Sequence, residues 1–365
     1  MKIVQVVESS ATGTLSIVRL ISNHFASRGH DVHVIYSRRP DTPAALHELF
    51  DRRVALHRVQ MASVRDLASI VTLRHILVRL QPDVVHLHSS RAGFLGRIAA
   101  LGTLGATRFL YSPHCIAFMR RDLSAAGRYV LVMLERIASI RRCLYVACSA
   151  SEQCAIRSRL RRPVQVVENA IAHGMTPLRR RAATGKCEIV TVGGIRPQKN
   201  PHLFAEIAAR LRGPCIHFTW VGDGDPALRL QLAAAGVHVT GWLAHGAVAA
   251  QLASADIYLS TSSWEGMPIA VIEAMACGLP VVATRCAGNV DVIDAPCTGV
   301  LFDSADEAIT TLGRLAGDPL ARETIGTAAR SAARARFDDA RFFRQLDALY
   351  NGQTVSSVPG DSASA

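Results

Sequence analysis

The sequence predicts an α/β protein built from two doubly wound, Rossmann-like units that face each other across a cleft. Three observations carry this expectation. The chain has 365 residues, which suits two domains better than one. Short β-branched or apolar runs alternate with runs of helical period, the pattern of a parallel sheet covered on both faces. The alternation loosens near Arg161 and restarts near Glu188.

The opening run, residues 2–7, reads as a strand followed by the small polar loop 9–13. Leu15, Val18, Ile21 and Phe25 then recur at helical spacing until Gly29. Further strands are expected at 31–36, 54–59, 83–87, 108–111, 144–148 and 164–167, with helices at 67–80, 94–104 and 123–140. Residues 173–185 have no apolar period and read as a linker. Beyond it, strands are expected at 188–192, 216–221, 237–240, 257–260 and 281–283, with a helix at 203–211. From 305 to 349 the pattern is helical almost throughout. The domains are thus read as 1–172 and 173–336, with a helix near 337–350 packing back on the first and a disordered tail at 351–365. Ligands of such sheets bind outside the carboxyl ends of the strands.

Composition narrows the function classes. A hydrophobic content of 49% against 19% charged excludes a disordered chain. The first apolar run ends at Glu8, too early for a secretory core, and no stretch approaches the roughly 18–20 apolar residues of a membrane span. Nine cysteines without a CxxC pair suggest reduced thiols; a soluble cytoplasmic protein is expected. The net charge of +12 is uneven. Through Arg181 there are 27 basic and 11 acidic residues, net +16, leaving −4 for the remainder. An anionic partner for the first half follows: a phosphorylated substrate, lipid headgroups or nucleic acid. Aromatic content of 5% offers few platforms for single-stranded nucleic acid.

The sharpest segment runs from Trp264 to Pro280. Pro268 suits the first turn of a helix and Gly278 its end, so Glu265 lies in the loop before a helix N-terminus and Glu273 one to two turns inside. Free amides there attract a diphosphate, while the carboxylates can accept from sugar and ribose hydroxyls. The alternative is two acids that merely stabilise a helix dipole. In Gly193-Gly194-Ile195-Arg196-Pro197-Gln198-Lys199-Asn200, two glycines permit close backbone approach, and Arg196 and Lys199 can hold two phosphates. A solvated basic turn is the alternative, but Lys199 is one of only three lysines among 41 basic residues.

In the first half, Ser9-Ser10-Ala11-Thr12-Gly13-Thr14 joins strand to helix without GxGxxG, which disfavours a dinucleotide-dependent dehydrogenase. His86, His88 and His114 stand at strand ends, where either a structural or a ligand-facing role is open. Asp223-Gly224-Asp225 has the look of a metal motif but reads better as a glycine turn.

These motifs resemble those of the family 4 retaining glycosyltransferases of the GT-B fold, over nearly the whole chain. The strongest part is E-x7-E, Glu265 to Glu273, followed by Glu-Ala-Met-Ala-x-Gly-x-Pro. Gly193–Asn200 resembles the family's phosphate element, and Phe218–Gly224 the strand and glycine turn between the two. The resemblance implies that Arg196 and Lys199 neutralise the departing diphosphate and that Glu265, with Gly266 and Met267, contacts the donor sugar. Glu273 would bind ribose, and Gly194, Gly222 and Pro268 would line the donor site. His114 would approach the sugar, with Gly13 in the loop over it. The run from His86 through His88 and Arg91 resembles members that build lipopolysaccharide or exopolysaccharide, which makes those three residues acceptor-side candidates. Ser-Ser-Ala-Thr-Gly-Thr replaces the Gly-Gly of many relatives, and Asn169-Ala170-Ile171 replaces Asn-Gly-Ile/Val.

The expected reaction is metal-independent glycosyl transfer with retention from a UDP-sugar, needing no cofactor. The acceptor would be a glycan or polyprenyl-diphosphate-linked, used in cell-surface polysaccharide synthesis. Arg120, Arg121, Arg128, Arg136, Arg141 and Arg142, around an apolar helix, would meet an anionic membrane; an ordinary solvated helix face is the alternative. Two competing readings are a nucleotide-sugar epimerase of the same architecture and a basic nucleic-acid binder, though the latter leaves Lys199, Glu265 and Glu273 without a role.

Overall fold

The structure, a computed structural model, describes residues 1–8, 12–171 and 185–355. Ser9–Ala11 of the expected loop, the expected linker apart from Gly185, and the tail beyond 355 lie outside the described residues. The chain divides into two compact units: Met1–Asn169 together with the chain from Ala340, and Ala170–Asp339.

The first unit holds β1 (Lys2–Val7), β2 (Asp31–Tyr36), β3 (Val54–Arg58), β4 (Val84–His88), β5 (Arg108–Ser112), β6 (Leu144–Ala147) and β7 (Val164–Val166). They form one parallel sheet in the order β3-β2-β1-β4-β5-β6-β7. The helices are α1 (Thr12–Ser27), α2 (Leu67–Leu80), α3 (Ser90–Ala99), α4 (Ala125–Ala138) and α5 (Ala150–Leu160). Every residue of β4 is buried, which explains its continuous apolar reading despite two histidines. Register aligns Val7 with His88 and His88 with Ser112, so the loops that follow reach one edge.

Two helices of this unit are bounded differently from expectation, for local reasons. The helix expected at 94–104 is α3, which begins and ends earlier. Positive φ at Gly102 (+70°) and Leu104 (+55°) turns the chain there. Ser124 caps α4 by accepting from Gly127 N, so that helix starts at Ala125. Beneath α3 and α4 a buried charge pair is fully satisfied. Arg97 Nη2 donates to Glu135 Oε2 at 2.7 Å and Nη1 to Tyr145 Oη at 2.7 Å, while Tyr111 Oη donates to Glu135 Oε1 at 3.0 Å. Buried ions persist only with such pairing.

The second unit has β8 (Cys187–Val192), β9 (Ile216–Val221), β10 (His238–Val239), β11 (Ile257–Ser260), β12 (Val281–Thr284) and β13 (Gly299–Phe302). Their parallel order is β10-β9-β8-β11-β12-β13. Around them lie α6 (Pro201–Leu211), α7 (Pro226–Ala234), α8 (His245–Ser254), α9 (Ile269–Ala276), α10 (Asn289–Val292), α11 (Ala305–Gly317) and α12 (Pro319–Arg336). The edge strand β13 was not expected: its sequence opens on a glycine, and its two central residues are only half-buried, so it reads neither as a buried run nor as an alternating one. The long helical stretch is broken twice. Asp318 caps α12 and Pro319 occupies its first turn; α13 (Asp339–Tyr350) then belongs, from Ala340, to the first unit.

In both sheets the winding reverses beside the first strand, between β1 and β4 and between β8 and β11. Those reversals open crevices at the strands' carboxyl ends.

Candidate active site

In the second unit, β8 and β9 deliver two glycine turns that interlock. Gly222 has φ +140°, and a Cβ there would stand 2.2 Å from Gly193 O. Trp220 Nε1 donates to the same oxygen at 2.8 Å, which fixes the turn. A Cβ on Gly193 would meet Lys199 Cε at 3.0 Å, and one on Gly194 would lie 3.9 Å from Arg196 Nε. Bare backbone thus lets both cationic side chains lie across the turn.

Lys199 ends a short 3-10 turn, Pro197–Lys199. Its Nζ donates to Glu265 Oε1 at 2.7 Å, where Ser262 Oγ also donates at 2.8 Å. Gln198 Nε2 donates to Glu265 Oε2 and to Trp264 O, both at 3.1 Å. Glu265 is 6% exposed; its charge is tolerated because three side chains donate to it. Gly288, φ +86°, backs it so closely that a Cβ would come 2.5 Å from Glu265 Cβ. Arg196 Nε is buried with no hydrogen-bond partner among the described residues. Leaving such a donor unmade costs about 1–3 kcal/mol or more, so an acceptor from a ligand suits that position.

Pro268 stands at the N-cap of α9, with φ −75° and no capping side chain, one place earlier than the first-turn position expected. The amides of Val271 and Ile272 bond back to Pro268 O, leaving those of Ile269 and Ala270 at the open end. Gly266 and the buried Met267 lead into it. Glu273 lies in the second turn, half-buried. Burial, with smaller contributions from the charges of Glu265 and Glu273, raises the pKa of the Tyr258 hydroxyl, which sits under Val192. Asp223 pairs with Arg229 at 2.8 Å, and Asp225 caps α7 through Ala227 N and Leu228 N. Both carboxylates therefore have structural partners. Among the described residues no three His, Cys, Asp or Glu side chains group to hold a metal.

In the first unit the histidines form one hydrogen-bonded chain. His86 contacts Ser112 Oγ at 2.8 Å and Tyr350 Oη at 2.9 Å. Gln5 Nε2 donates to that same hydroxyl at 3.0 Å, and Gln5 Oε1 accepts from His88 at 2.7 Å. His88 Nδ1 lies 2.9 Å from His114 Nε2. With Gln5 so oriented, His88 carries its proton on Nε2, and His114 donates from Nε2, leaving His114 Nδ1 as an acceptor. Burial lowers the pKa of His86 to about 3 and of His114 to about 4, and takes His88 well below the usual value.

His114 and Cys115 both have left-handed backbone, φ +53° and +86°. Such residues cost of order 1–3 kcal/mol each and need outside support. It comes from buried Glu152, whose Oε1 accepts from Cys115 N and Ile116 N, both at 2.8 Å. Arg91, in the first turn of α3, donates to Glu8 Oε1 at 2.7 Å and to Met61 O at 3.1 Å. Gly13 lies in the first turn of α1, because that helix starts at Thr12 rather than after the loop.

Of the residues named from the sequence, Lys199 and Glu265 meet directly and His86, His88 and His114 join one hydrogen-bonded chain, whereas Arg91 pairs with Glu8; the supports of these groups were not named. Gln198 sat inside a recognised segment and Ser262 three residues before Glu265, so local signals existed. Gly288, Gln5, Glu152 and Tyr350 reach the groups from afar, without a local signal.

Residues 12–173 match the family described as Glycosyltransferase Family 4, and residues 186–318 match glycosyl transferases group 1. The chain is 30% identical, over 80% of each chain, to a GDP-mannose-dependent alpha-mannosyltransferase of Mycolicibacterium smegmatis. It is 26% identical to the UDP-Gal:alpha-D-GlcNAc-diphosphoundecaprenol alpha-1,3-galactosyltransferase of Escherichia coli, over 70% of this chain and 72% of that one. Among solved structures, it resembles sucrose-phosphate synthase of Thermosynechococcus elongatus with a TM-score of 0.82 at 16% identity, covering 96% and 98% of the chains. Anabaena HepE, solved in complex with UDP and glucose, gives 0.80 at 18% identity, covering 96% and 99%.

Proposed function

Because the chain belongs to glycosyltransferase family 4 and has the GT-B fold, we propose that it is a retaining hexosyltransferase using a nucleotide diphosphate sugar, with a UDP-sugar favoured. The acceptor is a glycan or a polyprenyl-diphosphate-linked glycan of cell-surface polysaccharide synthesis. The E. coli relative, whose name specifies UDP-galactose and a diphosphoundecaprenol acceptor, supports this choice.

The observation that carries the reading is buried Glu265, held by Lys199 in the loop that leads into the uncapped start of α9, with Arg196 on the adjoining glycine turn and its Nε without a hydrogen-bond partner among the described residues. Breaking the sugar–phosphate bond leaves negative charge on the diphosphate. Arg196, Lys199 and the helix amides stabilise that charge as it develops, without requiring a metal. Glu265, held rigid, accepts from donor-sugar hydroxyls, and Glu273 from ribose. Gly194 and Gly222 keep the backbone open to the phosphates. His114, neutral at pH 7, offers Nδ1 to a hydroxyl of the transferred sugar.

Among the described residues no helix is long and apolar enough to cross a membrane. On α4 and the turn after it, Tyr129, Val130, Ile137 and Ile140 are exposed beside exposed Arg136 and Arg142. That face supports peripheral attachment to the inner leaflet, each cation near the surface contributing about 1 kcal/mol. A cytoplasmic enzyme drawing on a lipid-linked acceptor fits this placement.

A thermal-shift panel of UDP, GDP and ADP tests the donor site. A nucleotide at 100 times its Kd stabilises the fold by roughly 2.7 kcal/mol. One nucleotide should act selectively, and Arg196→Ala and Lys199→Ala should each abolish its effect. No shift with any of the three in folded protein would remove the donor assignment.

A further inference from the structure

The donor site leaves one built recess of the first unit without a role. At the carboxyl ends of β1, β2 and β3, Glu8, Arg38, Arg39, Gln60, Met61 and Arg91 line a cavity of about 260 Å³. Register accounts for its place: Val7 pairs with Tyr36 and Tyr36 with Arg58, so residues just past the three strands meet at one edge. Ser37 Oγ accepts from Met61 N at 3.0 Å, and Gln60 Nε2 donates to Arg38 O at 3.2 Å. These bonds clamp the walls together.

The charges inside do not balance. Glu8, 7% exposed, takes Arg91 Nη1 at 2.7 Å, and Arg39 Nη1 stands 3.9 Å from its other oxygen. Arg39 Nε faces Asp41 Oδ1 at 3.2 Å. Two carboxylates thus sit among three guanidinium groups, and exposed Arg38 has no ion-pair partner among the described residues. One surplus positive charge remains at the rim. A single water needs only about 10–15 Å³ of such cavity space, so the cavity admits a group of several heavy atoms, larger than a single small ion.

We infer that this recess binds a phosphoryl group of the acceptor, with Arg38 and Arg39 on its oxygens and the Glu8–Arg91 pair as a fixed floor. Planar guanidinium forks suit phosphate oxygens in pairs. That the ligand is an acceptor rests on the transferase reading; that it is a phosphate rests on the recess itself. A lipid-linked diphosphate and a phosphorylated sugar present the same chemistry.

The test is calorimetric titration of pyrophosphate into the full-length Arg196→Ala/Lys199→Ala protein, which removes the proposed donor cations. Saturable binding is expected, weakened about tenfold or more by adding Arg38→Glu and less by Arg38→Ala. Arg38 is exposed, so both variants should keep the parent unfolding midpoint without ligand. Absence of binding, or binding indifferent to Arg38→Glu, overturns the inference. Farnesyl diphosphate and glucose 1-phosphate are then run as competitors. Displacement of pyrophosphate by either supports the phosphoryl site and identifies its source, and displacement by neither overturns it. Nucleotide stabilisation of the single Arg38→Glu variant reads the donor site separately. Its persistence while pyrophosphate binding is lost supports both assignments. Pyrophosphate bound through Arg38 with no nucleotide response in the unmodified chain sinks the donor reading and leaves the recess standing.

Discussion

Lys199 Nζ lies 2.7 Å from Glu265 Oε1, although 66 residues separate them in the chain. The contact joins the turn after β8 to the loop after β11, on either side of the winding reversal of the second sheet. It is a mostly buried pair, with side chains 15% and 8% exposed, so each partner depends on the other. Removing Lys199 alone leaves a carboxylate with two remaining side-chain donors, Ser262 and Gln198. Removing both members leaves no stranded charge. Destabilisation by Lys199→Ala and Glu265→Ala should therefore be less than additive, with a coupling of about 0.5–3 kcal/mol. Urea unfolding of the two single variants and the double variant measures it. In turnover, Lys199→Ala should lower kcat by about 10²–10³-fold.

Gly222 should be among the least replaceable residues of the second unit. Alanine there would adopt φ +140° and place its Cβ 2.2 Å from Gly193 O. The cost is backbone strain of about 1–3 kcal/mol plus displacement of the turn beneath Lys199. Gly29, φ +83° with nothing within 4 Å of its added Cβ, separates the two effects. Gly29→Ala should cost only the left-handed penalty of roughly 1–2 kcal/mol and leave nucleotide binding untouched. Gly222→Ala should lose nucleotide stabilisation as well. Equal behaviour of the two variants would mean that the glycine turn has no bearing on the ligand.

The two sheets were legible because buried parallel strands read as short apolar runs, and Lys2–Val7 and Ile257–Ser260 show little else. The candidate site was legible where it lies within one segment: Glu265, Met267, Pro268 and Glu273 share a loop and one helix. Its supports were not. Glu152 holds the turn at His114 from 37 residues away, and Tyr350 reaches His86 across 264. Hydrogen bonds across such separations follow from packing, and single-chain periodicity carries no record of them. The strand β13 was missed for a different reason: its run Gly299–Phe302 opens on a glycine and leaves Val300 and Leu301 only half-buried, so it shows neither a continuous buried run nor an alternation.

Acid should weaken the fold through the histidine chain. An unfolded histidine titrates near 6.5, whereas burial holds His86 at about 3 and His114 at about 4. Between those values the unfolded chain takes up protons that the folded chain refuses, so stability falls as pH falls. The contribution is flat above about pH 7 and then declines by up to about 1.4 kcal/mol per pH unit for each such group. It levels off once the folded-state values are passed. Denaturant midpoints at pH 7.5, 6.5, 5.5 and 4.5 should show this onset, and His114→Asn should reduce the slope. A profile flat from pH 7.5 to 4.5 would contradict the neutral buried chain.

Tyr350 closes that chain from the last described helix, and its hydroxyl works at both ends. It accepts from Gln5 Nε2 at 3.0 Å and, as placed, donates to His86 Nδ1 at 2.9 Å. Its ring packs against Phe25, with centroids 4.9 Å apart. Tyr350→Phe keeps the ring and removes only the hydroxyl, leaving a buried amide and a buried imidazole nitrogen unsatisfied. The expected cost is about 1–3 kcal/mol, read as a lower urea midpoint with an unchanged m-value. Gln5→Met in the same chain removes one of the stranded groups, so the pair should be less than additive. If the chain also orients His114, Tyr350→Phe should lower kcat while nucleotide stabilisation, which the proposed donor site assigns to the second unit, stays as it was. A fall in both together would mean that the substitution disturbs the fold at large and leaves no specific part for the hydroxyl in holding His114.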